Sequence, residues 1–313
     1  MTSAKEIKKR IKSVANTKKI TKAMEMVAAA KMRKSVDSVL RTRTYANLGW
    51  ATIVNISQSR DTEKLLHPLL EKREKINKAL IVLIASNRGL CGGFNSAIIN
   101  KAIKSVKKHG IETDFVIIGK RASSIASRYG YNIISEFEKN DKAFSIEDVS
   151  APAKLITKDF LAKKYDKVLM AYTDFVSPAK QVPRIRQILP VDIDTEDEYL
   201  GAVGKSTMLE TKKDYIKEKE DKYLSGGFSF IYEPNADVVL DNMLPRMIEV
   251  QLYQALLESN ASEHSARMAA MNQATSAASD IVDELTLYYN KARQAAITAE
   301  IAEISAGAAS MQS

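Results

Sequence analysis

The chain has 313 residues, of which 45% are hydrophobic and 27% charged, with a formal net charge of +9 and a single cysteine, Cys91. This length allows two domains, the hydrophobic share is ordinary for a soluble protein, and no apolar run of about 18 residues exists to span a membrane. One cysteine excludes an internal disulfide and fits a reducing compartment, and the start of the chain has no apolar h-region of a secretory signal.

Residues 3 to 58 contain no proline and no glycine before Gly49. Stepping alternately by 4 and 3 places Ile7, Ile11, Val14, Ala28, Met32, Val39, Ala46, Ile53 and Ile56 on one stripe. This is the heptad spacing of a coiled coil. Lys18, Thr21 and Glu25 interrupt the stripe, and a second apolar row, Ile20, Met24 and Val27, is expected to cover the gap. The charge is concentrated here. Residues 1–45 hold 13 Lys or Arg and 3 Asp or Glu, whereas the remainder holds 34 and 35. A basic helix reads as a nucleic-acid binder, as a docking face for an acidic protein, or as a plain solvated surface. The first is disfavoured, because no aromatic residue precedes Tyr45 and no nucleic-acid-binding motif is present.

The middle alternates strands and helices. Ala79–Ala85 is a continuous apolar run of the kind buried in parallel sheets. A glycine-rich turn, SNRGLCGGFN (86–95), follows, then a helix over Ser96–His109 ended by Gly110. Further strands are expected at Thr113–Gly119, Tyr131–Glu136 and Asp166–Tyr172. Helices are expected before Gly130 and over Ser145–Tyr165. Gln181–Val191 reads as an edge strand because of Pro183, and Gly227–Tyr232 as the last strand. The pattern predicts a doubly wound sheet with right-handed crossovers. A polar insert, about 192–225, contains DIDTEDE and KKDYIKEKEDK and is expected to form a loop or surface hairpin.

No proline or glycine falls between Pro245 and Gly307. At 1.5 Å per residue that stretch makes a helix of about 90 Å. Its 4–3 register gives Ile281, Leu285, Tyr288, Ala292, Ala295, Ala299, Ala302, Ala306 and Ala309, all apolar. Running backward it meets Ala278, Ala274 and Met271, then polar Arg267, His264 and Asn260, then Leu257, Tyr253 and Val250. A repeat of 3.5 residues sustained over this length specifies a left-handed coiled coil, and alanines in the seam demand a close partner backbone. That partner is expected to be the N-terminal helix, antiparallel, with Ala15, Ala23 and Ala28–Ala30 as its small residues. The competing reading is two separate amphipathic helices lying on one core.

Apparent catalytic motifs fail. Glycines at 89, 92 and 93 do not form G-x-G-x-x-G, and Gly119–Lys120 stands where an acidic ribose ligand would follow the second strand. GKST (204–207) lacks the first P-loop glycine, since Tyr199 occupies that position. His67, His109 and His264 are far apart and have no Cys or paired carboxylate neighbours. Cys91 has no evident base beside it, which favours a small buried residue in a tight turn. No nucleophile, base and orienter can be assembled, and no catalytic, cofactor or metal residue is assigned.

Several segments carry a family resemblance that extends over essentially the whole chain. IKKRIKSVANTKKITKAMEMVAAAKM (7–32) is similar to the N-terminal helix of the gamma subunits of F-type ATP synthases. SNRGLCGGFN resembles that family's S-D-R-G-L-C-G-G-x-N, with Asn87 in place of the usual Asp. YEPNADVVLDNMLPR (232–246) and ASEHSARMAAMNQAT (261–275) are also family-like. ITAEIAEISAGA (297–308) matches the signature I-T-x-E-x-x-[DE]-x-x-x-G-A at all six of its fixed positions. The polar insert departs from the pattern, and with one cysteine the dithiol switch of plastid members is excluded.

The resemblance implies a non-catalytic central-stalk rotor of a proton-translocating ATP synthase. Its partners would be the ring of three alpha and three beta subunits, the epsilon subunit and the c-subunit ring. No nucleic acid, membrane insertion or cofactor is expected. The location would be peripheral, on the cytoplasmic face of a bacterial inner membrane. Whether the ion is H⁺ or Na⁺, and whether synthesis or hydrolysis dominates, is not written in this subunit. The implied fold is α/β: a long antiparallel coiled coil of terminal helices, residues 1–60 and 236–313, with a central Rossmann-like doubly wound domain, residues 61–235. By the same resemblance Arg293, Gln294 and Thr298 look like the grip on a beta-subunit loop and Arg267 like another polar contact. Met24 looks like the coupling methionine, the turn around Arg88 and Cys91 like the part facing an acidic segment of beta, and Gly307, Ala308 and Ala309 like the uncharged bearing tip. The insert is expected to touch epsilon or brake rotation. The rival functions are a non-rotary coiled-coil scaffold, which would self-associate, and a nucleotide-dependent enzyme, which would bind nucleotide alone.

Overall fold

The computed structural model describes residues 4–58, 67–73, 75–140, 145–191 and 232–312. The insert at 192–225 and the expected strand residues 227–231 lie outside them. The chain forms two compact units, one of Met1–Ala29 with Arg267–Ser313 and one of Ala30–Ala266. Each of the two longest helices, α1 (Ala4–Gln58) and the last helix (Ala236–Gln312), contributes to both.

In the larger unit the elements between these helices are β1 (Lys78–Ile84), α2 (Phe94–His109), β2 (Glu112–Ile118), a single 3-10 turn (Lys120–Ser123), α3 (Ser124–Tyr129), β3 (Ile133–Phe137), α4 (Glu147–Leu161), β4 (Lys167–Ser177) and β5 (Lys180–Leu189). The last helix is α5. The strand order is β3-β2-β1-β4-β5, parallel from β3 to β4. The parallel part has the 3-2-1-4 order of a doubly wound sheet. β5 pairs antiparallel with β4, so a hairpin replaces a crossover at that edge. Pro183 stands opposite Thr173, and among the described residues β5 is the edge strand, where a proline is tolerated.

Period-two alternation sends the apolar run of β1 to two cores. Ile81, Leu83 and Ala85 join Ile98, Ala102 and Ile103 of α2, together with Phe115 and Ile117. Leu80, Val82 and Ile84 join Val149, Ile156 and Phe160 of α4, with Val39, Ile53 and Ile56 of α1 and Leu244, Ile248 and Leu252 of α5. Burial on both faces explains the unbroken hydrophobic runs at 79–84 in β1 and 115–118 in β2. α2 ends at Gly110 in the left-handed conformation, φ 64°, with its N–H bonded to Val106 O at 2.9 Å. Gly49 marks a close approach of the two long helices, since a Cβ there would come within 2.6 Å of Met247 Sδ.

The heptad stripe of α1 is the buried one: Ala28, Val39, Ala46, Ile53 and Ile56 are nearly inaccessible and Ile7 is 9% exposed. Two expectations are corrected in the smaller unit. Ile20 and Val27 do not cover the polar interruption but are 61% and 56% exposed. The interruption is itself the seam. Lys18 Nζ donates to Ser279 Oγ at 2.9 Å, Thr275 Oγ1 to Thr21 Oγ1 at 2.8 Å, and Asn272 Nδ2 to Glu25 Oε1 at 3.3 Å. These pairs establish the antiparallel register. The second correction concerns α5, where Ile281 and Tyr288 are 45% and 52% exposed while Val282 and Tyr289 are partly covered. The seam runs through Met271, Thr275, Ala278, Val282, Leu285, Tyr289 and Ala292. It shares every second position with the expected register and differs by one residue at the others.

Candidate functional site

The chemistry-bearing turn after β1 is built on itself. Ser86 Oγ donates to Arg88 O at 2.7 Å, and Ser86 N donates to Asn95 Oδ1 at 3.0 Å. Asn95 Nδ2 reaches Cys91 Sγ at 3.3 Å, and Phe94 N bonds Cys91 O at 3.2 Å. Cys91 is 2% exposed and packed into this knot. The turn therefore spends its hydrogen bonds internally, at a position where doubly wound sheets commonly offer amides to a phosphate. Besides Gly92 and Gly93, what it shows to solvent is Arg88 and Leu90. Leu90 is 62% exposed and has φ 63°, the left-handed region. For a residue with a Cβ that backbone costs about 1–3 kcal/mol.

The β2–3-10 corner seats the turn. Arg121 N bonds Ser86 O at 3.0 Å, and Gly119 lies so close to β1 that a Cβ would come within 2.3 Å of Ala85 O. Gly119 has φ 104°, which independently calls for glycine. Asn87 clamps the β3–α4 connection, its Nδ2 donating to Lys139 O at 2.5 Å and its Oδ1 accepting from Lys139 N and Lys120 N, both at 3.4 Å. An aspartate here would accept from both amides but donate nothing to that carbonyl. Lys139 in turn makes a charge-paired hydrogen bond to Glu263 of α5, with both side chains almost fully buried. Sequence reasoning missed this pair, which spans 124 positions and follows no local pattern.

Buried polar groups are concentrated on α5. Every residue from Gln251 to Ser265 is buried, whatever face it occupies. Ser262 Oγ bonds Thr173 O at 3.1 Å, and Gln181 Nε2 bonds Ser265 Oγ at 3.2 Å. Arg184 pairs with buried Asp174 at 2.8 Å.

A second group of candidate residues lies in the smaller unit. Arg267 and Met24 are partly covered, whereas Arg293, Gln294 and Thr298 are exposed. The antiparallel progression of Lys18, Thr21 and Glu25 against Ser279, Thr275 and Asn272 puts Ala4 opposite the Ala292–Arg293 step. Beyond it α5 runs on to Gln312, and every residue from 293 to 306 is exposed. Ala295, Ala299, Ala302 and Ala306 therefore meet no described part of α1, which corrects the expectation that they close the intramolecular seam. Ile297, Ile301 and Ile304 are 48%, 59% and 66% exposed. Gly307, Ala308 and Ala309 continue this helix. The structure gathers Arg293, Gln294 and Thr298 on one helical stretch, and Arg88 and Cys91 on one turn.

The known proteins that resemble this chain agree with one another. A family model described as ATP synthase matches residues 3–311. The ATP synthase gamma chain of Herpetosiphon aurantiacus is 40% identical, with 99% of each chain covered. That of Legionella pneumophila (strain Corby) is 36% identical over 99% of this chain and 100% of its own length. Among solved structures, a chain of the mitochondrial ATP synthase of Euglena gracilis has a TM-score of 0.63 at 18% identity, covering 98% of this chain and 94% of that one. One from the central stalk and c-ring of the Tetrahymena thermophila enzyme has a TM-score of 0.56 at 22% identity, covering 82% and 99%.

Proposed function

The chain belongs to the ATP synthase family, among its gamma chains, and from that premise we propose how it works as the central-stalk rotor of an ion-translocating ATP synthase. A gamma chain is a non-catalytic subunit, and the catalytic sites lie on the beta subunits. The partners are the alpha and beta subunits of the ring, the epsilon subunit and the c-subunit ring. The rotor couples ion transport to ATP synthesis, standing as a peripheral subunit on the cytoplasmic face of a bacterial inner membrane. No described helix is long and apolar enough to cross that membrane.

One observation carries the reading. α5 outruns the first described residue of α1, and from Arg293 to Ala306 the described residues offer no cover for three isoleucines. An apolar helical surface of this kind requires a sleeve. The ring of alpha and beta subunits supplies it, with Arg293, Gln294 and Thr298 as the polar grip, Arg267 and Met24 as further contacts, and the stretch around Gly307, Ala308 and Ala309 turning in the bearing. Torque passes as an asymmetric shaft presents different faces to three otherwise identical catalytic sites. Division into residues 1–60, 61–235 and 236–313 follows from assigning shaft and foot to different work.

The test is reconstitution of this chain with separately purified alpha and beta subunits, reading complex size and ATP hydrolysis. A complex of one chain with three alpha and three beta subunits, whose turnover depends on the chain, is expected. Replacing Arg293 and Gln294 together by alanine should lower that turnover about tenfold or more, the scale of losing hydrogen bonds from charged and amide donors. Absence of association, or nucleotide binding by the chain alone, would sink the proposal.

A further inference from the structure

The turn at 86–95 contains three glycines, at 89, 92 and 93, yet its left-handed non-glycine position is a leucine. Glycine adopts φ near 60° without penalty, so a leucine at φ 63° is retained against local preference. A strained side chain is normally repaid by burial, but Leu90 is 62% exposed. The remainder of the turn holds it there. Ser86 Oγ fixes Arg88 O, Cys91 O accepts from Phe94 N, and Cys91 itself is locked inward by Asn95. The surroundings are basic on balance, with Arg88 and Arg121 exposed, Lys120 paired to exposed Glu138 at 3.1 Å, and Arg121 Nη2 lying 3.5 Å from where a Cβ on Gly89 would be.

We infer that Leu90 is the apolar anchor of this turn on the beta subunit, entering a hydrophobic socket bordered by carboxylates that meet Arg88 and its basic neighbours. The inference rests on the rotor reading and on the turn as a ring contact. It transfers the side-chain contact from Cys91, which is enclosed, to Leu90, which is exposed and held in a strained backbone conformation. A preorganised anchor of this kind keeps its exposed conformation before docking and so loses little freedom on contact. The flanking charges steer the approach, and the leucine supplies area that is removed from water.

The test uses the reconstituted complex of full-length chain with alpha and beta, together with thermal unfolding of the full-length chain. Leu90→Gly, Leu90→Ala, Leu90→Met and Arg88→Ala are compared with wild type. Leu90→Gly is expected to unfold at or above the wild-type midpoint while weakening assembly roughly tenfold, the scale for exposing one partly covered leucine. Leu90→Ala should weaken assembly to a similar extent, and Leu90→Met should restore most of it. If Leu90→Gly lowers the unfolding midpoint by several degrees, the leucine serves internal packing and the inference falls. If both truncations assemble normally while Arg88→Ala is weakened, the turn remains a ring contact but Leu90 is not its anchor. If Arg88→Ala also behaves as wild type, the turn's contact with beta fails along with it. Failure of the wild-type chain itself to assemble overturns the rotor reading instead.

Discussion

The helix pair, residues 4–29 with 267–312, and the α/β body, residues 30–266, follow opposite rules of construction. The body closes two cores around the sheet with large aliphatic and aromatic residues such as Ile81, Phe115, Phe160 and Tyr165, all essentially inaccessible. The helix pair buries little, and its contact relies on small and polar groups: Thr21 against Thr275, Lys18 against Ser279, with Ala28 and Ala278 beside them. A body with this much covered apolar surface can stand by itself. A helix pair with an uncovered apolar continuation is incomplete until something encloses it. Stability resides in the first region and the demand for a partner in the second.

The largest effect that would test this contrast lies in the body. Removing one member of the Lys139–Glu263 pair takes this counter-charge from the other in a site where both side chains are nearly inaccessible. Lys139→Ala or Glu263→Ala should each destabilise by about 3–5 kcal/mol in denaturant unfolding. Replacing both with a well-packed methionine and leucine should recover most of that loss. If the single variants cost less than about 1 kcal/mol, the pair is not enclosed and the body is more open at α5 than the contrast allows.

Gly119→Ala comes next. The added methyl meets the Ala85 carbonyl oxygen at 2.3 Å, backbone against backbone, and φ 104° is unfavourable to any side chain. About 2–4 kcal/mol is expected from strain and displacement together. Because Gly119 seats the turn after β1 through Arg121 N and Ser86 O, amide exchange should accelerate in residues 86–95 before the rest of the body. Uniform acceleration would mean that the turn has no separate seat.

Much of this architecture was legible in the sequence, and the failures have definable causes. The apolar runs of β1 (79–84) and β2 (115–118) identified themselves because parallel strands are buried on both faces. The α1 stripe was legible because its large residues, Ile7, Val39, Ile53 and Ile56, fit one register only. In α5 the seam is so rich in alanine that two phases fit equally, and Ile281 and Tyr288 drew the reading one residue away from Val282 and Tyr289. The antiparallel β5 was invisible because a two-residue hairpin between strands of similar composition carries no crossover helix to reveal its direction. At the candidate site, the motif pointed to Arg88 and Cys91. Only coordinates distinguish the enclosed Cys91 from the exposed, left-handed Leu90.

A smaller effect would sharpen the contrast from the side of the helix pair. Thr275→Val keeps the shape of the seam but removes the hydroxyl that donates to Thr21 Oγ1. About 1 kcal/mol should be lost from the local stability of residues 4–29, read by amide exchange, with the body unaffected. Thr21→Val with Thr275→Val should return close to wild type, because both ends of the bond are then apolar. A double variant worse than either single one would show that the polar seam is a requirement of packing and not a neutral choice.

The smallest effect concerns pH and belongs to the body again. His67 is held below the ordinary histidine range chiefly by burial, with the charge and hydrogen bond of Asp241, 3.1 Å from Nε2, opposing that shift. Its Nδ1 accepts from Leu69 N at 3.1 Å, which requires that nitrogen to be unprotonated. The fold therefore prefers neutral His67, while the unfolded chain takes up a proton more readily. Stability from this group is full above the ordinary histidine range and is lost as pH falls through it. Exposed Asp241 recovers part of the cost, so the decline should amount to only a few tenths of a kcal/mol. His67→Asn, which keeps a side-chain acceptor for Leu69 N, should flatten that portion of the stability profile. An unchanged slope would clear His67 of the acid sensitivity in this range, which Asp166 does not supply either. The hydrogen bond from Arg73, with the amides of Lys78 and Asn77, holds that carboxyl low despite its partial burial, and its contribution persists to much lower pH.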